Sequence, residues 1–287
     1  GDLNDQQAED QINSLKNIDV RSDMEKYLYR PALNQQYFLN LSGSSEKVDY
    51  LFSVGYDLDL SNLIGNKNNR VNLKSDNTIH LTKNWDFQTG VMLTKTRTTN
   101  NNPGGYGSYQ VSLNGITPYS RLVNPDGSPA ALDIYYRGLF TDTAGNGQLL
   151  DWKFRPLDEL HNNDNYTDQS DVLVNLGSDY KISNWLRAET RYQYESSWND
   201  NNNYHNLQSF YTRDLINQFT QIIDGVPEYI IPKNGILNTS SQRMVSQAAR
   251  GQLNVENIWR SKHHLSAIAG AEIREVKTTS AARQDFG

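Results

Sequence analysis

The sequence predicts an all-β fold: an antiparallel, up-and-down transmembrane β-barrel segment of about eight strands with long extracellular loops. Three observations predict it. Apolar and polar residues alternate with a period of two over unusually long stretches. Short turns recur on one side of the expected hairpins and long polar loops on the other. Three of the five tryptophans sit beside the short turns, where rings with an apolar body and a polar edge favour a membrane–water boundary.

The alternation is clearest at Val48–Tyr56. Val48, Tyr50, Phe52, Val54 and Tyr56 fall on one face, and Asp49, Leu51, Ser53 and Gly55 on the other. Only a strand separates residues in this way. Before it, Gln36–Ser42 alternates Tyr37, Leu39 and Leu41 against Phe38, Asn40 and Ser42, and residues 43–47 make a turn. A polar stretch, 58–69, reads as a loop. Arg70–Thr82 then carries Val71, Leu73, Ile79 and Leu81 on one face, interrupted by Ser75 and Asn77. Lys83-Asn84 is a tight turn, and Trp85, Phe87, Thr89, Val91 and Leu93 form the returning row.

A connection of about 98–169 follows, far longer than ordinary loops. Strands resume with Val172, Val174, Leu176, Tyr180 and Ile182 on one face, then turn at Ser183-Asn184 beside Trp185. The next strand sets Leu186, Ala188, Thr190, Tyr192 and Tyr194 against Arg187, Glu189, Arg191, Gln193 and Glu195. The second row cannot face lipid, because each charge would cost a few kcal/mol near the midplane. Trp198 stands where a second aromatic girdle belongs. A second long loop spans about 199–243, and a last hairpin turns at 260–262 after Trp259. Trp85, Trp185, Trp198 and Trp259 are therefore expected to be membrane-girdle anchors. Residues 1–35 read as a lead-in loop, with a short helix within Asp19–Ala32 ending at Pro31.

Composition agrees with this and excludes other classes. The chain has 287 residues, a net charge of −6 and no cysteine. A mean hydropathy of −0.73 suits strands that are apolar on one face only. No apolar run approaches the roughly 20 residues of a membrane helix. The acidic balance offers no basic patch for nucleic acid. Without cysteine there is no thiolate metal site or disulfide framework. No H-E-x-x-H motif joins His80, His161, His205, His263 and His264, and His263-His264 is expected in a turn. Asp158-Glu159 and Asp214 are expected to pair with Arg155 or Arg213 rather than to form a catalytic acid pair. Gly104-Gly105-Tyr106-Gly107 lacks the strand, helix and lysine of a phosphate loop. No enzymatic activity, cofactor or metal is expected.

Several stretches resemble one family. "NQQYFLNLSGSSEKVDYLFSVGY" (34–56) is similar to the early barrel hairpin of the SusC/RagA TonB-linked (TonB-dependent) outer-membrane transporters. "ITPYSRLVNPDGSPAALDIYYRGLFTDTAGNGQLLDWKFRPLDEL" (116–160) resembles that family's long extracellular loop, and "QSFYTRDLINQFTQ" (208–221) and "HHLSAIAGAEIRE" (263–275) resemble later pieces in the same order. The resemblance implies a bacterial outer-membrane importer of oligosaccharides or peptides, with a plugged barrel of about 22 strands. It also implies energy delivered through TonB and a SusD-like surface lipoprotein as lid. The chain shows no signal peptide, plug or TonB-contacting segment, so it is expected to be part of a longer transporter, touching TonB only through parts it lacks. Residues 36–287 would supply barrel wall and outer vestibule. The loop aromatics Tyr106, Tyr109, Tyr135, Tyr136, Trp152, Tyr204, Phe210 and Tyr211 are the candidates for substrate or lid contact; the competing role for each is packing the loops on one another. The alternatives are a secreted carbohydrate-binding β-sandwich and a small structural or adhesive barrel.

Overall fold

The computed structural model describes residues 4–108, 116–133, 136–259 and 263–287. Eight strands form one sheet in the order β1-β2-β3-β4-β5-β6-β9-β10, every neighbour antiparallel. They are β1 (Leu33–Ser44), β2 (Val48–Leu60), β3 (Asn66–Thr82), β4 (Trp85–Asn100), β5 (Asn163–Lys181), β6 (Leu186–His205), β9 (Ile236–Trp259) and β10 (His263–Phe286). The small hairpin β7 (Thr220–Ile223) and β8 (Val226–Tyr229) stands apart from the sheet. The up-and-down order is the expected one. The sheet is open: β1 and β10 form its two edges and do not pair with each other.

The register assigns each residue a face. Tyr50, Phe52, Val54 and Tyr56 of β2 lie opposite Gly43, Leu41, Leu39 and Tyr37 on one side, and opposite Asn77, Ser75, Leu73 and Val71 on the other. The row continues through Val91 and Leu93 of β4 and Val172 and Val174 of β5. Phe52 and Val54 are each 47% exposed, so this apolar row is not the core of a sandwich. The Tyr50 ring packs over Gly43, and a Cβ there would come within 2.5 Å of Tyr50 Oη, so a larger residue would displace the ring. The two polar interruptions of the row satisfy each other: Asn77 Nδ2 donates to Ser75 Oγ at 3.0 Å and to Thr89 Oγ1 at 3.3 Å.

Several boundaries differ from expectation. Residues 58–69 are mostly strand, with only 61–65 between β2 and β3. The two long loops shrink to 101–162 and 206–235. In each case polar residues that look like loop pair across the ladder instead. Asn68 Nδ2 donates to Thr98 Oγ1 (2.8 Å), and Asn201 Nδ2 donates to Thr167 Oγ1 (2.9 Å). Alternation marks only the stretch where one face is apolar; the hydrogen-bonded ladder runs on beyond it. His263 and His264 open β10 rather than sit in a turn.

The lead-in is helical, not a loop. Helix α1 (Asp5–Leu15) begins with a capping box in which Asn4 accepts from Gln7 N and Gln7 from Asn4 N. Helix α2 (Val20–Tyr27) starts at Asp19, whose side chain accepts from Arg21 N. Helix α2 is the short helix expected within Asp19–Ala32, ending at Tyr27 rather than at Pro31, whereas polar composition hides α1, which only its Asn4 cap advertises. The fold's main apolar core lies at the loop end: Val20 and Met24 of α2 and Leu28 just after it meet Ile116, Leu122, Leu132, Trp152 and Phe154 of the first long loop and Phe210 of the second.

Candidate functional site

Two regions carry the features a binding protein would use, the polar face of the sheet and the loop end. On the polar face, Asp49, Asp76, His80, Asp86, Gln88, Asn175, Asp179, Glu189 and Arg191 converge near the short turns. His80 bridges Asp86 (2.8 Å) and Asp49 (3.1 Å). Asp179 accepts from Gln88 Nε2 at 2.9 Å and from Arg191 Nη2 at 3.0 Å. Glu189 accepts from Asn254 Nδ2 at 2.7 Å. Gly90 and Gly177, diagonal neighbours on this face, leave a recess of about 420 Å³ between Asp76, Asn175 and Arg191. These charges are cross-linked to one another, and the array forms a wall suited to water or to polar protein.

The loop end is built as a unit. Val20 N donates to Pro118 O (2.9 Å), and Leu122 N donates to Asp23 Oδ2 (2.9 Å), tying α2 to the first loop. Asn102 Nδ2 donates to Leu28 O (3.2 Å) and Ile64 O (2.8 Å). The first loop carries the short helices α3 (Gly138–Thr143) and α4 (Pro156–Asn162), and the second contributes α5 (Phe210–Phe219), capped by Ser209. Arg213 is almost fully buried and donates to the carbonyls of Lys153, Gln208 and Ser209 as well as to Asp151 O. Its ion pair is with Asp151 (3.3 Å), which also holds Arg155 (2.5 Å). The arginines thus bind a loop acid as expected, but the acid is Asp151. Asp214 instead accepts from Trp152 Nε1 at 2.7 Å.

Glu159, in helix α4 (Pro156–Asn162), is buried and accepts from Phe210 N (2.7 Å) and Asn163 Nδ2 (3.0 Å). Burial pushes its carboxyl above the usual range against the opposing pull of those donors. A folded-state pKa above the unfolded one gives a stability contribution that is complete below the unfolded value and lost as pH rises through the folded one. Glu159→Gln keeps an acceptor for Phe210 N and removes the titration. Melting of the loop unit followed from about pH 4 upward should therefore fall more steeply in the parent than in the variant. Equal slopes would dismiss Glu159 as the titrating group.

The loop aromatics divide. Trp152 (8% exposed) and Phe210 (7% exposed) are core residues. Tyr136 stacks on Trp152 at 5.0 Å and on Phe140 at 5.7 Å. Tyr106 is exposed. Tyr204 is exposed, its ring packed over Gly235. Tyr211 is exposed, packs on His205 at 4.4 Å and accepts from Gln284 Nε2 at 3.1 Å. Tyr109 and Tyr135 lie outside the described residues. Trp85, Trp185 and Trp259 are exposed at the turn end, with Trp85 Nε1 donating to Ser178 Oγ at 2.8 Å and its ring edge-on to Tyr180. Trp198 sits toward the loop end of β6 under the Arg243 guanidinium, 5.4 Å from the ring centre. The residues that hold the loop end together, Asn102, Glu159 and Arg213, bear no local pattern; only the Ser209 cap ahead of α5 could have flagged the last of them.

Among the described residues no group of histidine, cysteine or carboxylate side chains is arranged to hold a metal ion. No helix is long and apolar enough to cross a membrane, which does not bear on a β-barrel. An open, up-and-down antiparallel sheet with one apolar face, one charged face and all its loops at one end belongs to the class of β-barrel wall segments. No protein-family model and no curated protein matches the chain. Solved structures do. The RagAB peptide importer in its "closed-closed" state and the RagAB peptide transporter each contain a chain similar to this one, with a TM-score of 0.67 and 14% identity over 94% of this chain and 27% of theirs. The importer in its "open-open" state gives a TM-score of 0.66 over the same shares. The likeness is one of fold, and this chain spans about a quarter of those chains' length.

Proposed function

We propose that the chain is a wall-and-vestibule section of an outer-membrane TonB-dependent importer for peptides or oligosaccharides. The apolar face meets hydrocarbon, the charged face meets an aqueous or plugged lumen, and the loop end faces outside, where a SusD-like lipoprotein docks. One observation carries this reading: the same register that gathers Tyr50, Phe52, Val54, Leu73, Val91 and Val174 on one exposed face gathers His80, Asp179, Glu189 and Arg191 on the other. Girdle spacing supports it. Thirteen residues separate Trp185 from Trp198, about 43 Å of strand, which a tilt near 40° reduces to about 33 Å, enough to flank an apolar band of about 25 Å. The fold likeness to chains of a peptide importer supports transport, and at this level peptide is favoured over glycan.

The chain has no cysteine of its own, and in a cysteine-free background its topology can be tested with single introduced thiols. Tyr119→Cys, at the exposed loop end, should react with a membrane-impermeant maleimide on intact cells carrying the full-length protein. Asn84→Cys, in the β3–β4 turn, should react only after lysis. The reverse pattern, or equal labelling, would reject the orientation.

A further inference from the structure

The loop end holds an open cavity of about 660 Å³ between α2, the Tyr29–Pro31 segment that follows it, Asn62 and Tyr106. Its size is that of a small-ligand site. Met24, Tyr29, Pro31 and Tyr106 give it an apolar lining, and Arg21, Glu25 and Arg30 its charges. Gly105 lets the segment lie close against Tyr29: a Cβ there would collide with Tyr29 Oη, which accepts from Tyr106 N at 3.2 Å. The tyrosine thus seats the segment that carries Tyr106, whose own ring is exposed at the rim.

The charges are unevenly met. Asp19 holds Arg21 through both its oxygens, at 2.9 Å each. Arg30 is half-buried and spends Nε on Ser61 O (2.9 Å) and Nη2 on Asn66 O (2.8 Å). Among the described residues no carboxylate forms an ion pair with it. Glu25 is the carboxylate in the lining. A half-buried guanidinium bonded only to neutral carbonyls favours an anion, and its planar fork suits a carboxylate. The neighbouring rings suit a flat apolar group, which they can meet face or edge on.

We propose that this cavity binds a carboxylate carried beside a planar apolar group, as at the C-terminal aromatic residue of a peptide or in a free aromatic acid. The proposal deepens the vestibule reading and rests on it for the source of the ligand. Binding is measured in detergent without transport, so failure here leaves the thiol-labelling result standing, and the converse.

The experiment is calorimetric titration of the full-length protein, purified in detergent, with N-acetylphenylalanine, its amide, and glycyl-glycyl-phenylalanine. The acid should saturate, and the amide should bind at least about tenfold more weakly. Tyr106→Ala, at an exposed position that disturbs no core, and Arg30→Gln should each weaken the acid by a similar factor. Glu25→Gln, which removes the opposing charge, should tighten it a few-fold. Tripeptide binding equal to that of the acid assigns the site to peptide ends; acid binding alone assigns it to free aromatic acids. Absence of saturation, equal binding of acid and amide, or an unchanged affinity in Tyr106→Ala would overturn the proposal.

Discussion

Arginine at Phe52 or Val54 is expected to abolish delivery of the full-length protein to the outer membrane, while arginine at Ser53 leaves delivery intact. The three positions are consecutive along or beside one strand, so local propensity and strand pairing are nearly the same. Only the face differs. Phe52 and Val54 lie exposed in the apolar row, whereas Ser53 points to the polar face opposite Asn40 and Lys74. Phe52 is four residues from the turn end of β2, about 13 Å along the strand, which places it near the middle of an apolar band about 25 Å tall. A guanidinium there costs about 2–4 kcal/mol, while on a wet face it costs little beyond its repulsion from Lys74. The measurement is the amount of each variant recovered from the outer-membrane fraction. Equal recovery at all three positions would mean that the apolar row does not touch lipid.

The second large effect belongs to the loop end. Phe210→Ala should cost about 3–5 kcal/mol, the usual range for emptying a buried aromatic site. Phe210 meets Phe154 edge-on at 5.5 Å and joins Met24, Leu122 and Trp152 in one core, so its removal loosens α2, the first long loop and α5 together. The sheet should survive, because none of its ladders depends on that contact. Limited proteolysis of the full-length protein should then cut within 116–162 while the strands stay protected. Tyr211→Ala, one residue on, should lose its surface contacts with His205, Asn238 and Gln284, about 1 kcal/mol. Comparable nicking in the two variants would refute the division between core and surface aromatics.

Much of the sheet was legible because a strand writes its surroundings into alternate residues. Tyr50, Phe52 and Val54 declare their face without reference to any partner, and Lys83-Asn84 declares its turn. The strand ends were not legible, because past the apolar row both faces are polar and the ladder of Asn, Asp and Thr carries no period. Thus Asn68 and Asn201 read as loop while standing in β3 and β6.

The sequence by itself determined the approximate number of strands in the main sheet, their antiparallel succession, the composition of each face and the end at which the long loops gather. Tertiary structure alone decided what those loops become. Trp152 and Phe210 read as surface candidates like Tyr106 and Tyr211, but the first two are buried. The difference arises from contacts between residues far apart in the chain, such as Phe210 N with Glu159 and Leu122 N with Asp23. Burial in a strand follows from a repeating geometry, whereas burial in a loop follows from which distant segments close over it, and no local spacing encodes that choice.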